Sequence, residues 1–174
     1  LDHKVVLLLP FEAMRKKLLD YDAMRIVIKD GKEVWESTSR PYLRSNDDLE
    51  ILNRYNSEIR GIYNYYCIAN NVNILNSFYG IMKESMYKTF SSKYESTVRK
   101  IVNKYCKDKI FTVRYQNKKG EWLERTLYHG GFRLNKEARI DNAHIMPNYY
   151  GMESTSLMAR LKAHKCEYCG AEDN

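Results

Sequence analysis

Long hydrophobic runs are missing from this sequence. No apolar stretch approaches the roughly 18 to 20 residues that a bilayer-spanning helix requires; Val5 to Leu9 falls far short, so a soluble protein is predicted. Cysteine is scarce too. Of the four, Cys67 and Cys106 stand alone in helical patterns, which excludes the disulfide framework of a small secreted domain. No signal peptide is visible, and a reducing compartment fits. Paired carboxylates for two-metal nucleotide transfer are also lacking. Tyr21-Asp22-Ala23-Met24 offers one acid, and Asp47-Asp48 sits at a helix start, where acids complement the helix dipole. His3, His129 and His144 have no nucleophile or carboxylate at motif spacing. No catalytic residue is assigned.

What is present is an ordinary globular composition, 44% hydrophobic and 29% charged over 174 residues, enough for one large or two small domains. Acidic residues are locally sparse. Lys83 to Lys119 holds eleven Lys or Arg against three acids, Glu84, Glu95 and Asp108, a surplus that outweighs the +7 of the whole chain. Concentrated positive charge on helices is the footprint of a phosphate-backbone binder; the alternative is a set of solvated helix faces.

Pro10 opens a short helical pattern with Phe11, Met14 and Leu18 on one side. Arg25 to Lys29 and Lys32 to Trp35 flank Asp30-Gly31, a pair suited to a tight hairpin turn. Ser39 to Asn46, containing Pro41, reads as a connector. A capping box at Ser45 and Asp48 predicts a helix burying Leu52, Tyr55, Ile59, Ile62 and Tyr66. A second helix from about Asn73 buries Leu75, Phe78, Met82, Met86 and Phe90; a third from about Ser96 buries Val98, Ile101, Val102 and Tyr105 and turns Arg99, Lys100 and Lys104 outward. Three such stripes imply a three-helix bundle. After Lys107 the period drops to two, giving a second hairpin across Asn117–Gly120. Gly130-Gly131 to Tyr150 reads as loop. Ser156 to His164 reads as a helix leading into Cys166 and Cys169. The fold class is α+β, predominantly helical, with β-hairpins before and after the bundle.

The richest segment is Tyr55-Asn56-Ser57-Glu58-Ile59-Arg60-Gly61-Ile62-Tyr63-Asn64-Tyr65-Tyr66. Arg60 can grip a phosphate bidentately, Asn56 and Asn64 can donate and accept, and Tyr65 can stack on an unpaired base, whereas Tyr55, Ile59, Ile62 and Tyr66 suit a core. The run resembles the maturase, or X, domain of group II intron reverse transcriptases, in which a helix reads Tyr-Asn-x-x-x-Arg-Gly-x-x-Asn-Tyr-Tyr. Ser85, Thr89 and Lys93 match the family's next helix. The likeness is strong in the first half of Pro41 to Gly170, faint from about Lys109 to Tyr150, and clear again at the cysteines.

The resemblance implies a thumb-like bundle that grips group II intron RNA and stabilises its splicing-competent fold, with no catalysis in this piece. It implies four parts: residues 1–45 leading in, 46–107 as the maturase or thumb domain, 108–155 as a β-containing accessory region, and 156–174 as the start of an HNH endonuclease. Leu1 in place of Met and a final half motif read as a piece of a longer protein, whose partners would include its own fingers and palm and target DNA. The expected RNA contacts are Asn56, Arg60, Asn64, Tyr65, Lys83, Lys88, Lys93, Arg99, Lys100, Lys104 and Lys107. Cys166 and Cys169 have the spacing of half a zinc site, with His164 the one local candidate for a third ligand, or are two free thiols. The family's nuclease histidines would follow Asn174. The rival readings are an HNH nuclease module and a DNA-binding module gripping through Arg114, Lys118 and Lys119. The expected setting is a bacterial cytoplasmic ribonucleoprotein, with no membrane.

Overall fold

The helical spacing of Phe11, Met14 and Leu18 becomes helix α1, Phe11–Asp20, with Pro10 as its extended N-cap, in a computed structural model that describes residues 6–135. Strands β1, Met24–Lys29, and β2, Lys32–Ser37, follow as an antiparallel hairpin. Lys29 pairs with Lys32, so the turn is only Asp30 and Gly31, both at positive φ, as a two-residue primed turn demands. A 3-10 turn at Pro41–Leu43 leads into α2, Asp48–Tyr66. A second 3-10 turn at Val72–Ile74 opens α3, Leu75–Lys93, and α4 spans Val98–Tyr105. Strands β3, Cys106–Lys107, β4, Ile110–Gln116, and β5, Trp122–Thr126, form a second antiparallel sheet in the order β3-β4-β5.

Helix α3 touches α1, α2 and α4. It therefore needs apolar residues on more than one face: Leu75, Phe78, Met82, Met86 and Phe90 are fully buried, and Tyr87 is buried on another side. Phe90, Tyr105 and Phe111 meet at centroid distances of 4.9 to 5.4 Å, which fastens α3, α4 and β4 together. The β4–β5 hairpin packs on α2, so the helices and the second sheet share one core. After β5 the chain returns along the helices. Tyr63 donates to Arg133 O at 2.9 Å, and Phe132 lies edge-on to Tyr63 and Tyr79.

Two local readings shift. The capping box lies at Asp47 and Glu50, not Ser45 and Asp48, with the Asp47 amide donating to Glu50 at 3.4 Å. Asp48, thus released from capping, turns into the interior. Val98, expected in the core, is 36% exposed, because the eight-residue α4 buries only Ile101 fully. The expected helix at Ser156 to His164, Cys166, Cys169, His3 and His144 lie outside the described residues.

Candidate nucleic-acid interface

Helix α2 has two polar faces with different partners. On the inner side, Arg40 from the supposed connector is completely buried and donates to Glu58 at 2.7 Å. Glu58 also accepts from exposed Arg54 at 2.8 Å. The Arg40 guanidinium lies 4.3 Å from the Tyr55 ring centre, an attraction that helps hold a cation whose Nε makes no hydrogen bond. Tyr55 OH meets Ser85 Oγ at 2.9 Å and Thr89 Oγ1 at 3.0 Å. Burial pushes this phenol above its ordinary pKa, keeping it neutral. Tyr55, Ser85 and Thr89, all carried by the family motifs, thus bond to one another.

Lys93 is also directed inward, donating to Asn46 O at 2.6 Å and Asp48 at 2.7 Å. Tyr94 and Tyr105 donate to the same carboxylate. Partial burial pushes the Asp48 carboxyl up, but the bonds from Lys93, Tyr105 and Tyr94 outweigh this and leave it below its usual range. Lys93 shows the mirror effect: burial lowers its pKa, and Asp48 more than restores it.

Asn56 is engaged on both sides of its amide. Its Nδ2 donates to Thr126 O at 2.9 Å, and its Oδ1 accepts from Tyr128 N at 2.7 Å. The side chain therefore reads the backbone at the end of β5 as a neighbouring strand would. Sequence suggested an RNA contact here, but both bonding edges are already taken. The clamp also fixes Arg125, one residue before Thr126, beside α2. Arg125 and Arg60 line a pocket of about 260 Å³ with Asn53, Asn56 and Ser57.

The outer side of α2 is open. Arg60 and Asn64 are exposed, and the Arg60 guanidinium lies 5.9 Å from the Tyr128 ring centre. Tyr65 is 76% exposed and meets Tyr66 edge-on at 4.7 Å. These two rings, Gly61 and Ile62 of α2, Lys17 of α1 and Tyr21 just after it line a groove of about 420 Å³. A Cβ at Gly61 would meet nothing within 4 Å, so the glycine keeps space open without being required by packing.

The expected basic set divides. Arg99 and Lys100 are exposed on α4. Lys104, also exposed, lies over the Tyr94 and Tyr105 rings at 4.8 and 4.9 Å, and Lys83 lies 5.8 Å from the Tyr87 ring centre. Lys88 instead donates to Ser37 O at 2.7 Å, and Lys107 pairs with Glu124 at 2.6 Å. Of the rival DNA-contact residues, Arg114 also pairs with Glu124, at 3.2 Å.

A family model described as type II intron maturase matches residues 2–135. The chain belongs to the type II intron maturase family. It is 35% identical over 178 residues to the group II intron-encoded protein LtrA of Lactococcus lactis subsp. cremoris, and equally to LtrA of strain MG1363. Each alignment covers 99% of this chain and 28% of the relative, so the maturase chain spans little more than a quarter of the length of those proteins.

Within this maturase, Asn53, Ser57, Arg125, Lys17 and Tyr21 are interface candidates beyond the sequence reading. The spacing of Asn53, Ser57, Arg60 and Asn64 on one helical stripe could have found the first two. Nothing local marks Arg125, whose position depends on a hydrogen bond from Asn56 to a strand seventy residues away. Among the described residues no group of three His, Cys, Asp or Glu side chains is placed to hold a metal ion, and no helix is long and apolar enough to cross a membrane.

Proposed function

We propose that this maturase chain binds group II intron RNA and stabilises the RNA conformation that splices, contributing binding energy and no bond-making group. The observation that carries the reading is the outer stripe of α2: Arg60, Asn64 and Tyr65 stand exposed on a helix whose other face is locked into the core. A guanidinium suits phosphate, an amide suits a base edge, and an exposed ring suits a splayed base. Arg99, Lys100, Lys104 and Lys83 add sequence-independent attraction that positions the RNA. In a complete protein, α2 to α4 would serve as the thumb beside fingers and palm, and target DNA would be a second ligand. The working location is a cytoplasmic ribonucleoprotein.

The test is binding of the chain to a group II intron RNA and to duplex DNA of equal length across a salt series, with Arg99, Lys100 and Lys104 changed together to Ala. Tighter RNA binding, with a shallower salt slope in the triple variant, supports the reading. Equal or tighter DNA binding that ignores the triple change refutes it and favours the second hairpin as a DNA module.

A further inference from the structure

The pocket between α2 and β5 has a composition that RNA binding in general does not require. Its lining is Asn53, Asn56, Ser57, Arg60 and Arg125, with no carboxylate. Every other arginine that the described part of α2 or the β4–β5 hairpin carries has an acid: Arg54 pairs with Glu58, and Arg114 with Glu124. Arg60 and Arg125 have no ion pair among the described residues, although both are exposed and share one concavity of about 260 Å³. Two like charges brought together without a counter-charge raise the local potential, and the fold holds them so. The Asn56 amide fixes the end of β5 at Thr126 and the chain just beyond it at Tyr128, and the Tyr128 ring lies beneath the Arg60 guanidinium. Because the Asn56 amide is spent on backbone, the free donors facing the pocket are the two guanidiniums, the Ser57 hydroxyl and the Asn53 amide.

We infer that this pocket is a seat for one backbone phosphate of the bound RNA, held jointly by Arg60 and Arg125. A phosphodiester carries one negative charge and oxygens that accept from several directions, which matches a donor-rich, acceptor-poor lining. The aromatic groove at Gly61, Tyr65 and Tyr66 begins on the next residues of the same helix. A strand with a phosphate in the pocket therefore has a stacking surface within reach for an unpaired base. The inference rests on the RNA-binding reading and names the atoms at which α2 and β5 take hold.

The test uses the full chain with Arg60→Gln, Arg125→Gln and the double variant, and Lys32→Gln in the first hairpin turn as a control. Group II intron RNA binding is measured over a salt series, and the arginine Nε–H signals are followed by NMR while inorganic pyrophosphate is added. Each single variant is expected to bind RNA about tenfold more weakly, as for loss of a charge-assisted hydrogen bond. The salt slope should fall by about one in each single variant and by about one in the double, because one phosphate is shared. Lys32→Gln should bind as the unaltered chain does, and all variants should keep its melting temperature.

Pyrophosphate should shift the Arg60 and Arg125 signals together. RNA binding that is unchanged in both single variants overturns the pocket while leaving the RNA reading intact. A double variant whose slope falls by about two also overturns it, since the arginines then hold separate phosphates. If the chain fails to bind RNA, the proposed function and this inference both fall, even where pyrophosphate still shifts the two arginines as a generic anion site.

Discussion

The inner and outer faces of α2 belong to one helix and to one run of family-like residues, yet they differ in what they touch. Tyr55, Asn56 and Glu58 are buried and bonded to α3, to the β5 end and to Arg40. Arg60, Asn64 and Tyr65, the next turns of the same segment, are exposed. A signature motif is therefore not a list of ligand contacts: half of it builds the platform, and the other half is displayed on it. The same division runs through the lysines, where Lys93 is internal to the fold and Lys100 faces solvent.

The largest effect should come from the inner face. Glu58→Ala leaves the fully buried Arg40 without its counter-charge and should cost about 3 to 5 kcal/mol. Replacing both partners with Arg40→Met and Glu58→Leu should cost much less than that, since the desolvation penalty goes with the charges. Urea unfolding of the two variants measures the difference; equal losses would mean that Arg40 and Glu58 do not act as a buried pair.

Asn56→Ala comes next, at about 1 to 3 kcal/mol, because it leaves the partly buried Thr126 carbonyl and Tyr128 amide without their partner. The substitution should also weaken RNA binding, by freeing Arg125 from α2. Loss of stability in unfolding experiments with fully retained RNA affinity would show that the clamp does not serve the interface.

The Asp48 cluster adds a pH dependence. The folded Asp48 carboxyl lies below its ordinary 3.8, so its contribution is present above that value and is lost as pH falls through the folded pKa. Lys93 lies above its ordinary 10.5, so its contribution is present below that value and is lost as pH rises through the folded pKa. Denaturation midpoints should show Asp48→Asn to be destabilising between about pH 4 and pH 10, with a smaller difference from the unaltered chain towards either extreme. A constant difference at all pH values would separate Asp48 from its titrating partners.

Gly61→Ala is the smallest and the most telling, because its two effects have opposite signs. Alanine fits the helix without a clash and should stabilise it by up to about 1 kcal/mol, while narrowing the groove beside Tyr65. A higher melting temperature with weaker RNA binding would show that the glycine is kept for the ligand. Higher melting temperature with unchanged binding would leave the groove without a role.

The order of legibility follows sequence distance. Periodicity marked the buried stripes of α2 and α3, and Asp30-Gly31 placed the first turn, because these depend on neighbours a few residues apart. Arg40 was not legible: its local context reads as a loop, and its burial depends on Glu58 and Tyr55 arriving from another element. Asn56 and Lys93 were read as RNA contacts because a polar side chain on a helix looks the same in sequence whether it meets solvent or a partner. Arg125 was invisible for the same reason, its place being set by a clamp seventy residues away.

The most direct measurement is equilibrium binding of a group II intron RNA to the unaltered chain and to a variant carrying Arg60→Ala, Asn64→Ala and Tyr65→Ala, with melting temperature read on the same samples. RNA affinity should fall by more than about tenfold, with the melting temperature essentially unmoved. Unchanged affinity in a folded variant would contradict the claim that the outer face of α2 is where this maturase chain meets its RNA.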